Sequence, residues 1–219
     1  MIRLAITQRV DVIESYGERR DSLDQNWTRF FGEAGDFLLV PVPNTLNVPL
    51  VWISDMSIDG FVLTGGNDLS FVSSSEKASS ERDRTEKVLL SRAQEKGLPV
   101  LGVCRGMQMI NHFLGGRISR LDQHVACRHN IEKCGQTVFL GNYKSVNSFH
   151  NYGIQQDDLA DDLNAVYQSD DGYIEAFEHK TLPWVGMMWH PEREAGFSQD
   201  DIRTVHNLFE RKSSGDVRK

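Results

Sequence analysis

The sequence predicts an α/β fold, in which a doubly wound, mostly parallel sheet has helices on both faces and a small antiparallel extension. Two observations predict this class. In the first half of the chain, short apolar or β-branched runs alternate with longer amphipathic patterns, as in sheets built from βαβ units. After Gly116 the apolar runs become shorter and more polar, which favours mixed or antiparallel pairing.

The predicted elements alternate between strand and helix. Ile2–Thr7 predicts the first strand, and Leu23, Trp27 and Phe30 recur at the spacing of an amphipathic helix over 22–34. The other predicted elements are strands over 37–41, 59–64 and 98–103, a helix that ends near Lys96, strands over 136–140, 166–168, 173–178 and 184–189, and a helix over 198–211.

The composition indicates one folded domain over residues 1–210, followed by a charged, flexible tail at 211–219. Of the 219 residues, 39% are hydrophobic, which is enough for a sizeable core. A net charge of −7 speaks against nucleic acid as a partner, and no run approaches the roughly 20 apolar residues of a membrane span. The first residues turn polar too early for a signal peptide, so we expect a cytoplasmic protein with no membrane partner.

The most informative segment joins the apolar strand at 98–103 to a helical pattern through Gly102, Cys104 and Gly106. This Gly-x-Cys-x-Gly spacing is typical of a nucleophile elbow with cysteine as the nucleophile. The glycines allow strand, turn and helix to approach closely, and the residue between them often has a strained backbone. The thiol would lie at a helix N-terminus, which favours the thiolate. A buried structural cysteine is the alternative.

A second segment supplies a candidate base. The apolar strand at 184–189 runs into His190, Pro191 and Glu192. Side chains two residues apart in an extended chain point the same way, so Glu192 can accept a hydrogen bond from Nδ1 of His190. Nε2 is then left to take the proton of Cys104, as in a triad.

A glycine pair after the strand at 59–64 predicts donors for an oxyanion. Acyl transfer to a thiol passes through a tetrahedral oxyanion, which preorganised backbone N–H groups stabilise. Gly65 or Gly66 could supply one such group, and the backbone of Arg105, directly after the candidate nucleophile, could supply the other. An ordinary turn is the alternative.

These motifs, together with segment 146–150, resemble the class I glutamine amidotransferase superfamily over residues 1 to about 210. Cys-Arg-Gly-x-Gln and Gly-Gly-Asn-Asp are similar to its γ-glutamyl hydrolase branch, which includes γ-glutamyl-γ-aminobutyrate hydrolases. The resemblance implies that Cys104 is the nucleophile, His190 the base and Glu192 the orienting acid. It further implies an oxyanion hole from Gly66 and Arg105, and substrate binding by Gly65, Asn67, Gln108, Ser148, Phe149 and His150.

The implied reaction is attack of Cys104 on the δ-carbonyl of a γ-glutamyl amide, loss of the amine, and hydrolysis of the glutamyl thioester. It needs no cofactor and no synthase partner. The order of nucleophile, histidine and acid along the chain argues against an α/β-hydrolase. Three alternatives stay open: a glutaminase subunit that supplies ammonia to a separate synthase, a γ-glutamyl-γ-aminobutyrate hydrolase, and a non-catalytic protein that keeps the fold and binds a ligand.

Arginines near the first strand suggest an anionic leaving group, because ligands of open α/β sheets lie at the carboxyl ends of strands. The candidates are Arg9, Arg19 and Arg20 in the predicted loop at 8–20, with Arg82 and Arg84 from the Ser-rich loop. The start of the chain and Gly-Gly-Asn-Asp-Leu-Ser are also similar to γ-glutamyl-CDP-amidate hydrolases of capsule biosynthesis, whose diphosphate would suit forked donors. Solvated arginines, or pairs with Asp11, Asp21 and Asp83, are the alternative.

One further group of residues has the donor types of a zinc site. His124, Cys127, His129 and Cys134 place four nitrogen or sulfur donors within eleven residues. Their spacing is irregular for a zinc motif, so the sequence prediction assigns no metal.

Overall fold

The structure, a computed structural model, describes residues 1–45, 49–72, 78–121 and 124–210; the predicted tail at 211–219 lies outside the described residues. The strands are β1 (Ile2–Thr7), β2 (Arg9–Ile13), β3 (Glu18–Ser22), β4 (Phe37–Val42), β5 (Gly60–Leu63), β6 (Val100–Val103), β7 (Ser119–Arg120), β8 (Val125–Lys133), β9 (Ser145–Phe149), β10 (Tyr152–Gly153), β11 (Leu163–Ser169), β12 (Ile174–His179) and β13 (Trp184–Met187). The helices are α1 (Gln25–Ala34), α2 (Pro49–Met56), α3 (Ser80–Lys96), α4 (Arg105–Phe113) and α5 (Gln199–Phe209).

In the described part of the chain, nine strands form one sheet in the order β4-β1-β5-β6-β13-β12-β11-β8-β9. The first five are parallel to their neighbours, and the last four continue the sheet with antiparallel pairing. The predicted fold class is confirmed. Because β5, β6 and β13 are adjacent and parallel, the residues that follow them meet at the same edge of the sheet.

Helices cover both faces because the side chains of the central strands alternate between two cores. Leu4 and Ile6 of β1 pack on one face with α1 and α5, whereas Ala5 packs on the other with α2, α3 and α4. Asp24 caps α1 by accepting a hydrogen bond from the backbone of Asn26 at 2.9 Å. No helix in the described ranges is long and apolar enough to cross a membrane.

The two predicted loops that were expected to carry arginines have regular structure instead. Residues 9–22 form the β2–β3 hairpin, which Asn67 ties to the sheet through two hydrogen bonds to the backbone of Val10, at 2.7 and 2.9 Å. The side chain of Ser79 accepts a hydrogen bond from the backbone of Arg82 and starts α3 there. Arg82 and Arg84 therefore lie on a helix, which corrects the prediction of a loop.

The predicted strand at 136–140 is also wrong. Its apolar residues suggest a strand, but the backbone N–H groups of Val138, Phe139 and Leu140 donate to the carboxylate of Glu178 at 2.9–3.2 Å. Because a side chain takes these donors, no strand pairing follows. Helix α2 and strands β8 and β9, which have weak sequence signals, were not predicted.

Candidate active site

Cys104 lies in a strained turn between β6 and α4. Its φ angle of +53° is in the left-handed region that residues other than glycine rarely adopt. The turn is tight because a Cβ atom at Gly106 would lie 2.0 Å from the carbonyl oxygen of Leu63, and one at Gly102 would lie 2.8 Å from the backbone of Gly106. The sequence thus forces the thiol to the carboxyl edge of the sheet, directly before the first N–H groups of α4, which lack partners within the helix.

His190 follows β13 at the same edge and lies near Cys104, since a Cβ at Gly65 would lie 3.4 Å from Nε2 of His190 and 3.5 Å from Cβ of Cys104. On its other side, Nδ1 lies 2.7 Å from Oε1 of Glu192, and both side chains are buried. Asn147 of β9 fixes the backbone of His190 through two hydrogen bonds, of 2.9 and 2.8 Å. A Cβ at Gly65 would lie 2.6 Å from Cε1 of His190, so glycine there makes room for the imidazole.

The electrostatics of this cluster favour a charged imidazole. Burial of His190 disfavours its protonated form, but the negative charge and hydrogen bond of Cys104, together with the Glu192 carboxylate, outweigh burial. They raise the pKa of His190 to about 9. The arrangement can therefore hold a protonated imidazole at neutral pH, and that imidazole can give its proton to an amine that leaves a carbonyl carbon.

A cavity of about 690 Å³ opens in front of Cys104 and His190. Gly66, which has φ +90°, and Arg105, the first residue of α4, lie on its wall and can direct backbone N–H groups at it. Of the predicted substrate-binding residues, those that line this cavity are Arg9, Asn67, Gln108, Phe149 and His150. Gln108 is held by a 2.9 Å hydrogen bond from its Nε2 to the carbonyl of Tyr152.

Other predicted site residues lie elsewhere. Arg19 pairs with Glu81, and Arg20 pairs with Glu18 at 2.7 Å; neither is among the described residues that line the cavity. The hydroxyl of Ser148 is buried and donates to the carbonyl of His124 at 2.7 Å. Gly65 lines a smaller adjoining cavity on the Glu192 side.

Two of the residues that sequence reasoning missed contact the candidate site directly. Asn147 positions His190, although it was seen only as part of the 146–150 motif. Arg193 lines the cavity with its guanidinium 4.8 Å from the centre of the Phe149 ring. Its position in the sequence, directly after His190 and Glu192, could have indicated that Arg193 lies at the site.

A buried network of charges on α3 positions both turns of the site. The guanidinium of Arg82 donates to the carbonyls of Thr64 and Gly65, at 2.6 and 2.9 Å, and pairs with Glu86 at 2.9 Å. Glu86 also pairs with Arg105. Burial disfavours the charged form of Glu86, but Arg105 and Arg82 outweigh it and keep its pKa below the usual value. Burial lowers the pKa of Arg82 to about 10, so it stays charged at neutral pH.

The cysteine-containing zinc set is not brought together. His124 and His129 do converge, but with His150 and Glu175, while Cys127 and Cys134 are outside that group. The cluster adjoins the cavity, because His150 also lines it, and it lies in the antiparallel half of the sheet.

Comparison with known proteins identifies the family and agrees with the fold. A family model for Peptidase C26 matches residues 6–192. The chain is 36% identical over 200 residues to a γ-glutamyl-CDP-amidate hydrolase of Campylobacter jejuni, covering 91% of this chain and 94% of the relative. It is 31% identical over 192 residues to the glutamine amidotransferase-like protein YvdE of Lactococcus lactis, covering 77% and 79%. The crystal structure of a glutamine amidotransferase from Thermotoga maritima matches with a TM-score of 0.62 and 21% identity, covering 95% and 81%.

The parallel sheet and the matches to relatives define the class, which is that of glutamine amidotransferase-like hydrolases. Within this class the chain belongs to the Peptidase C26 family.

Replacing Arg82 tests the role of the buried network. Arg82→Met removes one of the two arginine partners of Glu86 and the side-chain donor of two backbone carbonyls, so we expect the free energy of unfolding to fall by about 3–5 kcal/mol. Arg84→Met, two residues away on the exposed face of α3, is the matched control and should change it by less than about 0.5 kcal/mol. Urea unfolding followed by tryptophan fluorescence measures both, and equal small effects would contradict the assigned role.

Proposed function

We propose that this chain hydrolyses the γ-glutamyl amide bond of a small-molecule conjugate through a glutamyl thioester on Cys104, releasing glutamate and a phosphorylated amine of the CDP-amidate type. The proposal is supported by the position of Cys104 and His190 on the wall of one cavity, with Glu192 2.7 Å from Nδ1 of His190. The C. jejuni relative, a γ-glutamyl-CDP-amidate hydrolase, matches over nearly its whole length, which supports the choice of substrate.

The proposed chemistry has two steps. The Cys104 thiolate attacks the δ-carbonyl carbon, and the oxyanion accepts hydrogen bonds from the backbone N–H groups of Gly66 and Arg105. The C–N bond breaks as His190 gives its proton to the amine. A water molecule then attacks the thioester and gives its proton to His190, and the C–S bond breaks to regenerate the thiolate and free glutamate. Glu192 keeps the ring of His190 oriented in both steps.

The leaving group would lie against Arg9 and Arg193. Both guanidinium groups belong to residues that line the cavity, and Arg9 packs against Gly66. The cavity wall is not uniformly basic, since Asp11 and Glu14 also line it and Asp11 pairs with Arg9 at 2.8 Å. An anionic leaving group would compete with Asp11 for Arg9, and a diphosphate offers the forked acceptors that a guanidinium prefers.

The direct test measures glutamate release from γ-glutamyl-CDP-amidate, γ-glutamyl-γ-aminobutyrate and glutamine. We expect the first to have the highest kcat/KM, and Cys104→Ala to lower turnover by roughly a million-fold while the protein stays folded. Activity on glutamine alone, increasing when a synthase is added, would instead identify a glutaminase subunit. No release from any of the three, with no selective alkylation of Cys104, would end the enzyme proposal.

The pH dependence tests the role of His190. Its protonated form must donate to the leaving amine, and its pKa is raised to about 9. We therefore expect kcat/KM to hold at neutral pH and to fall as pH rises through about 9, because the proton donor is then lost. Alkylation of Cys104 by iodoacetamide needs no proton donor and should not fall over that range. A fall in kcat/KM as pH rises through about 6.5, the unperturbed pKa of histidine, would contradict this assignment.

Arg9→Gln tests the leaving-group site. We expect kcat/KM for γ-glutamyl-CDP-amidate to fall about 10- to 100-fold, the usual effect of losing a hydrogen bond to a charged group, with little change for γ-glutamyl-γ-aminobutyrate. Arg20→Gln is the control on the same hairpin, because Arg20 pairs with Glu18 away from the cavity. Equal losses on both substrates for Arg9→Gln, or a loss for Arg20→Gln as large as for Arg9→Gln, would refute the placement.

A further inference from the structure

Four side chains of metal-ligating types converge beside the candidate active site. They are His124, which directly precedes β8, His129 of β8, His150, which directly follows β9, and Glu175 of β12, and we call them the His3Glu cluster. One ligand atom from each lies within 4.8 Å of all the others. Glu175 is fully buried, His150 and His124 are nearly so, and 18% of the His129 side chain is exposed. Residues from four separate places in the chain thus point at one interior position.

The inward atoms of the cluster have no hydrogen-bond partner among the residues that the structure describes. These atoms are Nδ1 of His124, Nε2 of His129, Nε2 of His150 and both carboxylate oxygens of Glu175. The distances from these nitrogens to the nearest oxygen of Glu175 are 3.8, 3.6 and 3.7 Å, too long for hydrogen bonds. A buried carboxylate without a donor is costly, and one cation at the centre would satisfy all four groups.

Two outward nitrogens of the cluster are already engaged. Nε2 of His124 lies 3.0 Å from Oδ2 of Asp171, and Nδ1 of His150 lies 3.1 Å from the carbonyl of Tyr152. Both partners are acceptors, so each outward nitrogen carries the proton and each inward nitrogen presents a lone pair. This is how outer carboxylates and carbonyls orient histidine ligands in metal sites.

We propose that His124 Nδ1, His129 Nε2, His150 Nε2 and the Glu175 carboxylate bind one divalent transition-metal ion, with Zn²⁺ the best match. Three imidazoles and a carboxylate are donors that zinc accepts in tetrahedral sites, with bonds of about 2.0–2.2 Å and ligand atoms about 3.3–3.5 Å apart. The three nitrogen-to-oxygen separations would close by a few tenths of an ångström, and the widest separation in the cluster, up to 4.8 Å, would close by about 1.3 Å. This donor set replaces the cysteine-containing set that the sequence suggested.

The ion would be structural, because four protein ligands leave no open position for water. It would join β8 and the end of β9 to β12. The carbonyl of His124 already accepts hydrogen bonds from Ser148 Oγ and from the backbone of His150, at 2.7 and 3.0 Å. Metal binding would therefore fix the segment that presents Phe149 and His150 to the cavity.

The test begins with the metal content of the full-length protein and of its Cys104→Ala variant, measured by plasma mass spectrometry. We expect about one zinc per chain in both, and X-ray absorption should show only nitrogen and oxygen ligands at about 2.0–2.2 Å. After removal of the metal by a chelator, Zn²⁺ should raise the thermal unfolding midpoint by several degrees and Mg²⁺ should not. Zinc lost in Cys104→Ala, or sulfur in the ligand shell, would overturn the proposal by placing the ion on a cysteine.

Variants locate the site independently of hydrolysis. His129→Asn and Glu175→Gln should each lower the zinc content at least about tenfold, in line with loss of one ligand of a closed site. His206→Asn is the control, since His206 lies on α5, outside the cluster, and pairs with Glu210. Cys134→Ser should also keep the metal. Full zinc content in both cluster variants, or wild-type protein that neither contains zinc nor is stabilised by it, would overturn the proposal.

Discussion

The candidate site depends on a set of charges buried between α3 and the start of α4. Arg82 hydrogen-bonds to the turn that carries Gly65 and Gly66, while Glu86 holds the side chain of Arg105, the residue after Cys104. Buried ion pairs of this kind contribute little net stability compared with apolar packing, but breaking one is costly. Their effect here is positional, because the two turns that supply the candidate oxyanion donors are fixed to the same helix.

The site also lies at the boundary between the two halves of the sheet. Strands β5, β6 and β13 bring the glycine pair, the thiol and the imidazole to one edge because they are adjacent and parallel. The antiparallel half then contributes Asn147, which fixes the backbone of His190, and Phe149, which packs edge-on against its ring at 5.8 Å. The parallel half therefore provides the reacting groups, and the antiparallel half orients them and forms one wall of the cavity.

The sequence predicted what local patterns encode. The alternation of strands and helices was enough to predict the fold class. The elbow around Cys104 could be predicted because its residues are adjacent in the sequence. It did not predict contacts whose partners are distant and weakly patterned. Glu178, for example, takes the backbone donors of an apolar segment that otherwise resembles a strand. The sequence likewise pointed to the arginines of the β2–β3 hairpin as a basic group. The structure shows which of them reach the cavity: Arg9 lines it, whereas Arg20 pairs with Glu18 away from it.

The proposed metal site and the proposed chemistry assign two different roles to four of the seven histidines of the chain. His190 has Nδ1 on Glu192 and lies near Cys104, an arrangement that suits proton transfer. His150 has its outward nitrogen on a carbonyl and its inward nitrogen facing Glu175, an arrangement that suits a cation. The group that faces the second nitrogen decides which role each ring can take. For His190 this group is a thiol, and for His150 it is a buried carboxylate that other imidazoles share. The proposed hydrolysis therefore needs no ion, and the proposed ion acts by holding the cavity wall in place.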